Sequence, residues 1–68
     1  MEQEDPLMTP REAAAYTRLT REALAQLRFR GRGPRFLKPT PRVVLYRRSA
    51  LDTFLQASER EITEGYWR

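Results

Sequence analysis

Arg21, Glu22, Ala25 and Gln26 recur at the spacing of one helical face, inside the stretch Thr20 to Arg30. Their chemistry is that of base reading. An Arg fork matches the two acceptors of guanine, Gln pairs with the acceptor and donor of adenine, and Glu accepts from cytosine. Ala offers an apolar contact. The same pattern also fits a solvated surface helix, so the surroundings must decide between the two.

The elements that would hold these residues can be read from their flanks. Thr20 can accept a backbone N–H of the first turn as an N-cap, and Gly31 is a stop just past the end. Ala23, Leu24 and Leu27 fall on the opposite side and should face a core. Upstream, Thr9-Pro10-Arg11-Glu12 predicts a helix start with Thr as N-cap, Pro at the first helical position and Glu closing a capping box. Met8 could staple against Ala13, and Tyr16 is expected at the core edge. Thr17-Arg18-Leu19 leaves only a three-residue break before Thr20, and helices joined so tightly must cross steeply, as in a helix-turn-helix. Leu19 would plug the corner. That context favours base reading over a solvated face.

After Gly31, Arg32-Gly33-Pro34-Arg35 is a turn. Phe36-Leu37-Lys38 and Val43-Val44-Leu45-Tyr46 are short β-prone runs separated by Pro39-Thr40-Pro41-Arg42, a two-stranded wing. A lone hairpin is marginal, so it should pack through Phe36, Val44 and Tyr46. Ser49-Ala50-Leu51-Asp52 predicts a last helix with a capping-box-like start. Its stripe of Leu51, Phe54 and Leu55 is continued at the same spacing by Ser58 and Ile62, with Gly65 as a stop. The expected organisation is therefore a disordered acidic stretch over 1–6, a DNA-binding domain over 7–57 and a helical extension or tail over 58–68. The fold class is mainly α with a small β-hairpin, a winged helix-turn-helix.

Composition narrows the chemistry further. The 68 residues contain no Cys and no His, which excludes zinc fingers, thiol catalysis and imidazole acid–base work. No metal, cofactor or catalytic residue is expected, and no small-molecule substrate. Glu12, Glu22 and Asp52 sit at helix starts, where capping or base contact accounts for them. No run reaches the roughly 20 apolar residues of a membrane span, and the acidic start is unlike a signal peptide, so a cytoplasmic protein is expected. Net charge is +4, but residues 11–48 alone carry +9, against −3 before them and −2 after. Arg outnumbers Lys twelve to one, which suits bidentate contacts to phosphates and bases.

Met8-Thr9-Pro10-Arg11-Glu12-Ala13-Ala14, Leu19-Thr20, Leu24 to Leu27, Arg30-Gly31-Arg32-Gly33-Pro34, Phe36-Leu37-Lys38 and Leu45-Tyr46-Arg47-Arg48-Ser49 together resemble the MerR-type winged-helix domain of phage excisionases and excisionase-like proteins. The resemblance covers residues 7–56. It implies a sequence-specific binder of double-stranded DNA whose second helix enters the major groove while the wing touches the minor groove or phosphates. Such proteins perform no chemistry. They bind side by side, bend DNA and steer an integrase toward excision, so neighbouring copies and an integrase are the implied partners.

In that arrangement Thr20 and the helix N-terminus anchor a phosphate, and Arg21, Glu22, Gln26 and Ala25 face base edges. Arg28, Arg32, Arg35, Lys38 and Arg42 supply charge to the backbone or minor groove. Phe29 projects toward the same face but is expected to fold back under Pro34 and Phe36. The chain departs from the family pattern at Thr17-Arg18, where Leu-Gly is frequent, at the Pro39-Thr40-Pro41 wing tip, where Gly-Gly is common, and at Ala50, where Asp is usual. A small transcriptional regulator of the same fold and an RNA-associated basic protein are the alternatives. A protein neighbour is expected to cover Ile62, Tyr66 and Trp67, unless they fold back onto the core.

Overall fold

Local signals and long-range pairing divide the work of building this chain, which we describe over residues 5–60 of a computed structural model. Three helices and a three-stranded antiparallel sheet alternate along it: β1 (Leu7–Met8), α1 (Pro10–Thr17), α2 (Arg21–Phe29), β2 (Leu37–Thr40), β3 (Val43–Arg47) and α3 (Arg48–Ala57). The strand order is β1-β3-β2. The layout is consistent with the expected winged helix, with one addition. The wing is not a free two-stranded hairpin, because β1 pairs with β3 at Leu7↔Arg47 and Met8↔Tyr46. A two-residue strand has no alternation to display, so its existence depends on β3 being there to receive it.

α1 starts as its sequence requires. Thr9 Oγ1 accepts the Glu12 N–H at 3.1 Å, and Glu12 Oε1 accepts the Thr9 N–H at 2.9 Å, closing the capping box. Ala13 and Ala14 are buried, and Thr17 is buried with its hydroxyl donating to the Ala13 carbonyl at 2.8 Å. The break to α2 is Arg18 to Thr20. Arg18 takes φ 67°, the left-handed conformation that a Gly would adopt without a Cβ penalty of about 1 kcal/mol. Arg18 thus adopts at some cost in strain a conformation that Gly would take freely. The bond from the Leu19 N–H to the Ala14 carbonyl, 3.0 Å, closes the helix end.

The core is small. Tyr46, Leu24 and Leu51 are fully buried, Ala13 and Ala14 line the same cluster, and Met8, Leu19 and Val44 pack against it. Burying each large side chain contributes about 1.5–3 kcal/mol. Among the described residues, no helix is long and apolar enough to cross a membrane.

Three expectations at the chain ends and α3 are corrected. The start at Ser49 is not a capping box. α3 begins at Arg48, directly after β3, and the side chain of its N-cap residue Arg47 makes no capping bond. Ser49 instead donates its backbone N–H and its hydroxyl to the Asp5 carboxylate, at 2.9 and 2.8 Å. Asp52 accepts from the Tyr16 hydroxyl at 2.6 Å, tying α3 to α1. Asp5 and Pro6 are thus not part of a loose tail: the Arg48 N–H also donates to the Pro6 carbonyl at 3.1 Å. Finally, α3 stops at Ala57. Ser58 is its C-cap, with its hydroxyl on the Phe54 carbonyl at 2.8 Å, so the stripe does not run on through Ser58. Ile62, Gly65, Tyr66 and Trp67 lie outside the described residues.

The Asp5 contact should be visible in acid. The Ser49 backbone N–H, then its hydroxyl, then Arg47 and Arg48, hold the Asp5 carboxyl below its ordinary value. A depressed folded-state pKa adds stability above the unfolded value of about 4, and that stability is lost as pH falls through the folded value. Asp5→Ala should lower the melting temperature at neutral pH, and the gap to the parent chain should close as pH falls below about 4. A gap unchanged by acid would mean that the carboxylate is not what tethers α3.

Candidate nucleic-acid interface

Thr20 begins α2 in extended conformation, and its Oγ1 accepts the Ala23 N–H at 2.9 Å. This bond orients the first turn and leaves Arg21 and Glu22 on the outside. Leu24 anchors the inner face, with Ala23 and Leu27 partly buried beside it. The outer face is then determined by helical geometry, and Arg21, Glu22, Ala25 and Gln26 are all exposed on it.

α2 ends in a turn that depends on two left-handed glycines. Gly31 at φ 72° lets the Arg32 N–H bond the Leu27 carbonyl at 2.8 Å, and Gly33 at φ 87° passes against Leu27. Pro34 is buried immediately after. Arg32 keeps its side chain exposed in this turn. Arg35 is exposed on the wall of an open groove between residues 33–37 and α3, opposite Phe54 and Ala57.

Arg28 makes contacts within the fold that its sequence position does not show. Its guanidinium donates to the Tyr46 hydroxyl at 2.7 Å and lies 5.8 Å above the Phe36 ring, and Phe36 in turn packs tilted on Tyr46 at 6.3 Å. The residue is half-buried. Cation–π attraction and a hydrogen bond to a fully buried tyrosine hold it inside the fold. It joins α2 to the wing.

Phe29 is also not where packing was expected to take it. It is 90% exposed, because the place above Phe36 is taken by Arg28. It therefore stays on the outer face with Ala25 and Gln26. The helical wheel places it there from sequence alone, and only the expected fold-back beneath Pro34 and Phe36 pointed elsewhere.

The wing tip is tighter than its sequence predicted. β2 continues through Pro39 to Thr40, and Pro41-Arg42 alone makes the turn, with Thr40 opposite Val43. Between Leu37 and Thr40 the pairing slips by one residue, at the point where Pro39 has no N–H to give the ladder. Thr40 Oγ1 accepts the Arg42 N–H at 3.1 Å. With two prolines and an occupied Arg42 amide, the tip can approach a phosphate chiefly through side chains, and those of Lys38 and Arg42 are exposed on either side of it.

The fold thus brings Arg21, Glu22, Ala25 and Gln26 onto one exposed helical face, with Arg32 in the turn that follows and Lys38 and Arg42 on the wing. It draws Arg28 inward. No protein-family model matches this chain, and a search of characterised proteins found no significant relative either.

Proposed function

We propose that the chain is a winged helix-turn-helix protein that binds double-stranded DNA sequence-specifically, with α2 in the major groove and the wing on adjacent backbone or minor groove. The reading rests above all on one observation: the outer face of α2 carries Arg21, Glu22, Ala25 and Gln26 fully presented, within a segment of charge +9. Its other side is fixed by Leu24 and by the Arg28–Tyr46 bond, so the face is rigidly held, as base discrimination demands. Lys38 and Arg42 add sequence-independent charge.

By its resemblance to excisionases, the protein acts as an accessory factor that binds neighbouring sites, bends DNA and directs an integrase toward excision. No catalytic step, metal or cofactor belongs to this role.

Selection of preferred sites from a randomised duplex pool, followed by binding of Gln26→Ala, tests the base-reading part. The variant should change base preference by about 1–3 kcal/mol per affected pair while its melting temperature scarcely moves. Arg42→Ala should weaken all sites alike and lower the slope of log affinity against log salt by about one. Equal losses for Gln26→Ala on matched and mismatched sites would remove the base-reading role. Straight DNA in a permuted-site mobility assay would leave a DNA binder but remove the excisionase assignment.

A further inference from the structure

Phe29 presents a large apolar surface to solvent at 90% exposure, on the face of α2 that carries Gln26 and Ala25. An aromatic side chain left outside so small a core forgoes the stabilisation of burial, so its exposed position asks for a use. Its neighbours constrain that use. Arg30 and Arg32 are exposed just beyond it, Arg28 just before it is locked onto Tyr46, and the nearest acid along α2 is Glu22, about two turns away. A cationic surround disfavours a basic protein patch and favours an anionic partner.

We infer that Phe29, with Ala25, forms an apolar reader of thymine 5-methyl groups at the C-terminal end of the base-reading face. This rests on the proposed major-groove role of α2 and adds to it the base that its apolar half selects. In the major groove the thymine methyl is the one apolar mark that a base pair presents, and Phe and Ala are side chains able to contact it. The helix sets the place. Gln26 and Phe29 are three residues apart, a rise of about 4.5 Å at 1.5 Å per residue, and Glu22 and Phe29 are seven apart, about 10.5 Å. At about 3.4 Å per base step, the thymine read by Phe29 lies one or two base pairs from the pair read by Gln26 and about three from that read by Glu22.

Replacing thymine by deoxyuridine removes the methyl and leaves Watson–Crick pairing unchanged, so a thymine-to-uracil scan of the selected duplex isolates this contact. One T→U position, one or two pairs from the position whose preference changes in Gln26→Ala, should cost the parent chain about fourfold in affinity, the value of one apolar methyl-sized contact. Phe29→Ala should bind the thymine site more weakly and show no further loss on the uracil site. With so little of its surface buried, the ring can be removed without unfolding the chain, and an unchanged melting temperature is the control. A parent chain that selects specific sites yet tolerates uracil at every position would overturn this inference while leaving the DNA-binding reading intact. A chain that selects no duplex sequence would overturn both. Phe29→Ala binding as well as the parent on thymine DNA would also overturn it, and would leave the ring to a protein neighbour.

Discussion

Leu24→Ala is expected to remove a large share of the fold's stability, about 2–5 kcal/mol. Leu24 has no exposed surface and sits where α2 meets Ala13, Ala14, Tyr46 and Leu51. Truncating such a side chain removes its transfer free energy and leaves a cavity, at about 2–5 kcal/mol. A chain of this length has a total stability of only about 3–10 kcal/mol. With no Cys and no His there is no disulfide or zinc to make up the loss. Circular dichroism should show lost helix signal or a much lowered melting temperature. DNA binding should fall for every sequence alike, in contrast to the selective change expected of Gln26→Ala two residues away. A shift of only a few degrees would mean that the core does not depend on α2 being fixed through this residue.

Gly33→Ala should be strongly destabilising and Gly31→Ala only mildly so, although both glycines adopt positive φ. At Gly31 an added Cβ meets nothing within 4 Å, so only the left-handed strain of about 1 kcal/mol applies. At Gly33 the same strain is joined by a Cβ placed 2.8 Å from Leu27 Cβ and 3.2 Å from its Cδ1. The Leu27 Cβ is bonded to the α2 backbone and cannot swing aside as a flexible side-chain end would. Relief requires the turn to move off α2, an overpacking cost of about 1–3 kcal/mol more. That turn sets how the wing meets the helix, so if the chain binds DNA as proposed, Gly33→Ala should also lower the salt slope of that binding. Equal melting temperatures for the two variants would show that Gly33 does not pass against Leu27.

The contrast between these glycines shows where sequence reading reaches its limit. Gly31 as the stop of α2 follows from local spacing, since many helices end at a left-handed residue and Gly takes that conformation without strain. That Gly33 matters through Leu27 depends on a close approach between a turn and a helix face. The same boundary runs through the site. Thr20, Leu24 and the 3.6-residue period determine which side of α2 is outside, so local spacing alone places Arg21, Glu22, Ala25 and Gln26 there. The same period puts Phe29 on that outer side, but the partners of its neighbour Arg28 cannot be assigned this way. Only packing supplies the guanidinium with a ring to sit over and a tyrosine hydroxyl to bond.

The chain ends tell the same story. The capping box at Thr9 and Glu12 is local and legible from spacing, as are the helix starts at Thr9 and Thr20, the tight turn between them and the concentration of positive charge in the middle of the chain. The third strand and the use of Asp5 rather than Asp52 at the start of α3 came from packing across the fold. The difference lies in the range of the partners. A cap or a helical face is satisfied within four residues, where spacing is visible. Ser49 has its partner 44 residues away, and Met8 pairs with Tyr46 only because β3 has already been placed by the core beneath it.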